Sequence, residues 1–192
     1  MNEQLKSVLN RVVILNDEEC EAISSAFELH TVTSRRTLTR IGDVEDRLYF
    51  VIKGILRLYC LNTKEEETTI FIFHENNFAS CYSSFLTEVP SDQALESLEE
   101  CILLSLDSDT FKRLHLDIPK MNVLTRVIAE QRFINAQRIF TQHIMQTPEE
   151  RYLEFERTQG NLLLRIPHHI IASFLGVTPV SLSRIRKRVA RR

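Results

Sequence analysis

Three residues, Gly176-Val177-Thr178, separate two segments that each carry a helical apolar stripe, and this punctuation constrains the fold of the tail more than any other feature. The first segment runs from Ile166 to Leu175. Pro167 suits the first helical position, where no N–H is needed. Ile170, Ile171, Phe174 and Leu175 are spaced to lie on one face, and Ala172 is small enough to let another helix cross closely. Gly176 stops the helix, because glycine turns through positive φ without strain. Val177 plugs the turn, and Thr178-Pro179 restarts the chain as an N-cap followed by proline. At about 100° per residue, the second segment, Pro179 to about Arg191, brings Leu182, Ile185 and Val189 together on one side. Val180, Arg184, Lys187 and Arg191 line the other, flanked by Ser181, Ser183 and Arg188. The spacing predicts a helix-turn-helix.

Charge is segregated to match. Residues 161–192 hold seven Lys/Arg and no Asp or Glu, leaving 17 basic and 26 acidic residues in 1–160, so the formal charges are +7 and −9. A near-neutral total therefore hides a polarised chain whose tail suits a polyanion. On nucleic acid, such side chains release condensed counterions, which drives much of the binding. Arg184 is placed to read a base edge, and Lys187, Arg188 and Arg191 to hold phosphates. The competing reading is an amphipathic terminal helix with a solvated basic face.

The run Arg165-Ile166-Pro167, Leu175-Gly176-Val177-Thr178-Pro179 and Leu182-Ser183-Arg184-Ile185-Arg186 resembles the DNA-binding end of the CRP/FNR family of bacterial transcription regulators. Thr147 to Phe155 resembles the helix before that element. Gly42 and Leu48-Tyr49-Phe50-Val51-Ile52-Lys53-Gly54 resemble the family's cyclic-nucleotide-binding-type β-roll. The resemblance covers nearly the whole chain and implies an α+β fold. It has an N-terminal antiparallel β-roll of the double-stranded β-helix type, a long central dimerisation helix and a C-terminal helix-turn-helix without a long terminal wing. The implied divisions are 1–118, 119–146 and 147–192.

Carried over by position, the family's base-contacting sites fall on Pro179, Val180 and Arg184. The family often has a charged pair at the first two, so the target sequence is expected to differ, with Val180 suited to a thymine methyl. The implied DNA-facing set is Thr178, Pro179, Val180, Ser181, Ser183, Arg184, Lys187, Arg188 and Arg191, with His168 near phosphate. The implied dimer helix presents Leu124, Val127, Ile128, Gln131 and Asn135. In cyclic-nucleotide-binding relatives a Phe-Gly-Glu turn and a later Arg hold the ribose and phosphate. Here the turn is Phe78-Ala79-Ser80, and the later stretch is Pro90-Ser91-Asp92-Gln93-Ala94. Both charge-assisted contacts are gone, so cyclic AMP is expected not to bind. Phe78, Ala79, Ser80, Tyr82, Ser91 and Asp92, with Ser83 and Ser84, then either line a pocket for another polar effector or form a polar loop over a filled roll.

The rest of the chain narrows the function class. With 43% hydrophobic residues, four Gly and five Pro, the chain is globular. No G-x-S-x-G, Walker A or G-x-G-x-x-G run occurs, few glycines are present to build one, and nothing supports an enzyme. No apolar run reaches membrane-spanning length, and Met1-Asn2-Glu3-Gln4 does not open a signal peptide, so a cytoplasmic protein is expected. Cys20, Cys60, Cys81 and Cys101 show no C-x-x-C spacing and read as small buried hydrophobes; sensing of oxidation by the last three is the weaker alternative. His168 and His169 point about 100° apart on a helix and share a metal poorly. No metal or cofactor is expected.

Helices are predicted over Leu5–Leu15, Asp17–Leu29, Asp107–His115 and Lys120–Gln146, with β structure from Thr31 to about Leu106. On the long helix, Met121, Leu124, Ile128 and Ile139 mark one side, and Phe133, Phe140 and Ile144 another, so it should be covered on both. The implied partners are duplex DNA, a second copy of the chain, RNA polymerase and a small-molecule effector of the roll, with no membrane. The alternative function is a ligand-binding or protein-interaction module whose helix-turn-helix no longer reads DNA.

Overall fold

The computed structural model describes residues 2–191, and their contacts group into two compact units. One comprises Met1–Leu58 and Ile72–Arg132, the other Tyr59–Phe71 and Phe133–Arg192. Residues 120–145, one unbroken helix, contribute to both units.

The first unit opens with α1 (Glu3–Asn10) and α2 (Asp17–Ala26). Asn2 caps α1, and Asn16 and Glu19 form a capping box on α2. Both helices are shorter than expected. Asn10 turns the chain by accepting the Leu15 N–H at 3.3 Å. Glu28–Val32 is strand β1 rather than the end of a helix. The remaining elements are β2 (Thr37–Thr39), β3 (Arg47–Lys53), β4 (Leu56–Leu61), β5 (Glu67–Phe73), β6 (Phe78–Ala79), α3 (Tyr82–Thr87), β7 (Ala94–Ser97), β8 (Cys101–Asp107), α4 (Ser108–Asp117) and α5 (Lys120–Met145). The strands form two four-stranded sheets, ordered β1-β8-β3-β6 and β2-β7-β4-β5. Leu29 pairs with Leu104 in an antiparallel register of five residues between β1 and β8, and this ladder overrides the helical pattern seen locally. The expected polar loop at Tyr82–Ser84 is helical, and it buries Ser84 and Phe85.

Gly54 lets the chain turn between β3 and β4 at φ +106°; a Cβ there would lie 2.5 Å from the Cys101 Sγ. The core gathers Leu5, Leu9, Ile23, Phe50, Phe85, Leu104, Leu106, Phe111 and Leu114 with Met121 and Leu124 from the start of α5. The first turns of α5 are therefore part of the roll's own interior.

In the second unit, β4 and β5 run on into a hairpin, and the second half of α5 leads to α6 (Pro148–Gln159), a 3₁₀ turn (Gly160–Leu164), α7 (His168–Phe174) and α8 (Pro179–Val189). Thr147 and Glu150 form a capping box, with Pro148 inside the start of α6. Tyr152, Phe155, Leu162, Ile166, Ile170, Ile171, Leu175, Leu182 and Ile185 are buried together in sequence order along these helices. The Phe155 and Phe174 rings meet at 5.6 Å between centroids.

Candidate nucleic-acid interface

The turn between α7 and α8 is built as its residues suggest. Pro167 is the N-cap of α7 rather than its first helical residue, so the helix starts one position later than expected. At the other end Gly176 has φ +66°, its N–H donates to the Ser173 carbonyl at 3.0 Å, and the Val177 N–H donates to the Ala172 carbonyl at 2.9 Å. These two bonds are a Schellman closure. Arg151 of α6 reinforces it by donating from Nε to the Leu175 carbonyl at 3.0 Å. The Thr178 Oγ1 then accepts the Ser181 N–H at 3.2 Å, and Pro179 opens α8. Leu182 is fully buried and Ile185 nearly so, which fixes the rotation of α8 about its axis.

That rotation leaves Pro179, Val180, Ser183, Arg184, Lys187 and Arg191 exposed on the far side, with Thr178 exposed and Ser181 half-buried at the start. Val180 is 61% exposed, far more than an apolar residue without a partner needs to be. Among the described residues, no ion pair or side-chain hydrogen bond engages Arg184, Lys187 or Arg191. Arg188 differs: its Nε lies 2.6 Å from Oε2 of Glu149 on α6. The contact links α8 to α6, while the Arg188 side chain stays largely exposed. His168 is half-buried on the first turn of α7, and His169 is exposed.

The long helix divides its residues differently from the implied dimer set. Leu124 is 1% exposed and packs within the roll's core. Val127, Ile128 and Asn135 are half-buried and Gln131 is exposed. The apolar side chains most open to solvent are Phe133 and Phe140 at 68%, Ile144 at 63%, Ile134 at 55% and Met145 at 76%, with Val123 less so at 38%.

Within the roll, the residues expected around a ligand are bonded mostly to neighbours outside that set. Phe78 and Ala79 form β6, opposite Phe50 and Tyr49. Ser80 is fully buried, and its hydroxyl has no hydrogen-bond partner. The Ser91 hydroxyl donates to the Gln93 carbonyl at 2.9 Å and accepts the Gln93 N–H at 3.0 Å, whereas Asp92 is exposed. Two residues that sequence reasoning missed dominate this region. Glu45 is 3% exposed. Its carboxylate accepts from the Thr39 hydroxyl at 2.6 Å and from the N–H groups of Arg47 at 3.1 Å and Cys81 at 3.3 Å. Burial raises its pKa above the usual carboxylate range, against those hydrogen bonds. Arg132 of α5 donates from Nη2 to the Ser80 carbonyl at 3.0 Å and lies over the Phe73 and Tyr82 rings, 5.1 and 5.3 Å from their centroids. Desolvation lowers its pKa.

The sequence does hold a signal for Arg132, which shares a helical stripe with Met121, Ile128 and Ile139 and is the one cation on it. Glu45 left no such trace, since it sits among the charged residues of a turn. Arg57, in the neighbouring sheet, is already paired with Glu96 at 2.6 Å. Burial pushes the Cys81 and Cys101 thiols up to about 11, which makes them poor nucleophiles at neutral pH. Among the described residues no His/Cys/Asp/Glu group could hold a metal ion, and no helix is long and apolar enough to cross a membrane.

Comparison with known proteins agrees with this architecture. Residues 29–117 match the model of the cyclic nucleotide-binding domain. No curated protein sequence matches significantly. Among solved structures, the global regulator CLP of Xanthomonas campestris, described as responsive to c-di-GMP, superposes with a TM-score of 0.73 at 16% identity over 92% of each chain. A crp/fnr-family regulator from Eubacterium rectale gives 0.72 at 19% identity, over 91% of this chain and 83% of its own. The catabolite activator protein of Thermus thermophilus gives 0.60 at 20% identity, over 96% and 87%. Residues 29–117 thus match the cyclic nucleotide-binding domain, and the chain has the fold of the CRP/FNR regulators.

Proposed function

We propose that the protein is a homodimeric transcription regulator that binds duplex DNA through α8 and reads an inverted repeat. The observation that carries this reading is the outer face of α8, where Val180, Arg184, Lys187 and Arg191 stand exposed while Leu182 and Ile185 anchor the helix from behind. A helix that kept these cations only for solubility would have no need of a capped, glycine-closed turn to fix its rotation. Arg184 reads a base edge in the major groove, Val180 meets a thymine methyl, and Lys187 and Arg191 hold phosphates. Thr178, Pro179, Ser181 and Ser183 lie along the groove wall, with His168 at a flanking phosphate.

A second copy supplies the other half-site. The exposed apolar residues Phe133, Ile134, Phe140, Ile144 and Met145 of α5 are the surface for it, since large side chains left in water favour association. Half-sites then lie about one helical turn apart, ~34 Å, on one side of the duplex. The regulator acts on transcription through RNA polymerase. Its roll does not bind cyclic AMP: Ser80 and Ser91 stand where charged contacts are needed, and the Glu45 carboxylate lies beside them. The same carboxylate argues against the phosphates of c-di-GMP, to which the Xanthomonas neighbour responds.

Selection of bound duplexes from a random pool by the purified chain tests the reading. Enrichment of an inverted repeat is expected. A pool that stays random after several rounds would favour a module whose helix-turn-helix does not read DNA.

A further inference from the structure

The cassette turn, residues 78–84, is held from two sides by the chain itself. On one side is Glu45, whose carboxylate accepts the Cys81 N–H while its own N–H donates to the Ser84 hydroxyl at 2.9 Å. Ser84 in turn donates to the Val89 carbonyl at 2.6 Å, so one acidic residue organises both ends of α3. The Thr39 hydroxyl and Arg47 N–H secure the same carboxylate to β2 and β3. On the other side is Arg132, whose guanidinium caps the Ser80 carbonyl and is flanked by Phe73 and Tyr82. A free N–H and a free carbonyl in a buried turn are the groups an effector would engage, because leaving them unmet is costly. Here an internal anion meets the first and an internal cation meets the second.

We propose that Glu45 and Arg132 are a built-in substitute for an effector: they pin the Phe78–Ser84 turn, and with it α3, in one arrangement without any small molecule. Glu45 is a positioning residue rather than a ligand contact. Its burial among hydrogen-bond donors, with a pKa raised by desolvation, is the condition expected of a charge retained for structure. Arg132 ties the same turn to α5, so movement of α5 against the roll requires this cation to leave two aromatic faces and a carbonyl.

Hydrogen–deuterium exchange on the full chain, with nothing added, tests the proposal independently of DNA binding. Segment 78–92 is compared with segment 101–114, which spans β8 and α4. In the unmodified protein the two should be protected alike. Arg132→Met keeps the side-chain bulk and Glu45→Gln keeps an acceptor oxygen and the volume. Each should speed exchange in 78–92 by roughly tenfold or more while leaving 101–114 unchanged. Arg132→Lys, which keeps the charge but not the planar stacking group, should fall between. Unchanged protection of 78–92 in both main variants would overturn the proposal. So would slow exchange appearing in unmodified 78–92 only when millimolar cyclic AMP is added, or parallel loss of protection in both segments in every variant, since that would make the contacts general to the fold.

Discussion

The roll and the tail treat their polar groups in opposite ways. Around the cassette turn, Thr39, Glu45, Ser84, Ser91 and Arg132 are buried or half-buried and each is hydrogen-bonded within the roll, with Ser80 the orphan hydroxyl. On α8, Arg184, Lys187 and Arg191 face solvent with no partner among the described residues. A buried polar group must be satisfied from within, whereas an exposed cation on a rigid helix can wait for an external anion. The difference is one of where the partner comes from: in the roll most polar groups are met from within the chain, whereas the cations of α8 stay open to one from outside.

The comparison can be broken most severely at the positions that separate inside from outside. Leu182→Ala, at a fully buried site, should destabilise the helix-turn-helix by about 2–5 kcal/mol, while Val180→Ala, on the same helix but exposed, should stay within about 0.5 kcal/mol. Thermal melts of the two variants read this directly, and equal losses would mean that α8 is rotated from the position described. The long helix offers a parallel contrast. Leu124→Glu places a charge in the roll's core and should yield unfolded protein, whereas Phe133→Glu with Phe140→Glu should yield folded monomers in sedimentation. A folded dimer from the double variant would move the dimer surface elsewhere.

Smaller effects sharpen the division within α8. Arg184→Ala should cost ~1–3 kcal/mol on the selected duplex and relax preference at one position in each half-site. Lys187→Ala should weaken all duplexes alike and lower the salt slope by about one. Arg188→Ala should change affinity less than either, because its guanidinium is engaged with Glu149; this exposed pair itself contributes at most about 1 kcal/mol to stability. Gel-shift titrations on specific and random duplexes separate the three. Last, at pH 8 thiols with a pKa near 11 are thiolate in roughly one molecule in a thousand. Iodoacetamide should therefore label half-buried Cys60 before Cys81 and Cys101, which gain reactivity only as pH rises towards 11. Prompt labelling of Cys81 would reopen the redox alternative.

How much of this was legible in the sequence depended on the range of the interactions. The tail was read nearly to the residue because its signals are local: a glycine at positive φ, a Thr-Pro cap, and apolar residues at helical spacing. Its one departure was also short-range, the role of Pro167, and the Arg188–Glu149 contact was not visible because its partner lies on another helix. In the roll, the strand carrying Leu29 was taken for helix because only its distant partner Leu104 makes it a strand. The departures from the cassette pattern at Ser80 and Asp92 are visible in the sequence, whereas the Glu45 and Arg132 contacts around the same turn are not. Glu45 lies 36 positions from the Cys81 N–H that it accepts and Arg132 lies 52 from the Ser80 carbonyl, and no periodic pattern links such pairs. Leu124 was placed on the dimer face because a stripe shows that a surface is covered without showing by what.

On the proposed reading, the free cations of α8 meet DNA without help from the roll. The most direct measurement is the affinity of the purified, effector-free chain for its selected duplex across a salt series, with and without cyclic AMP. The account predicts tight binding at low salt, a steep linear fall of log affinity with log salt, and superimposable curves in the presence and absence of the nucleotide. Binding that ignores salt, or that appears only when cyclic AMP is added, would contradict it.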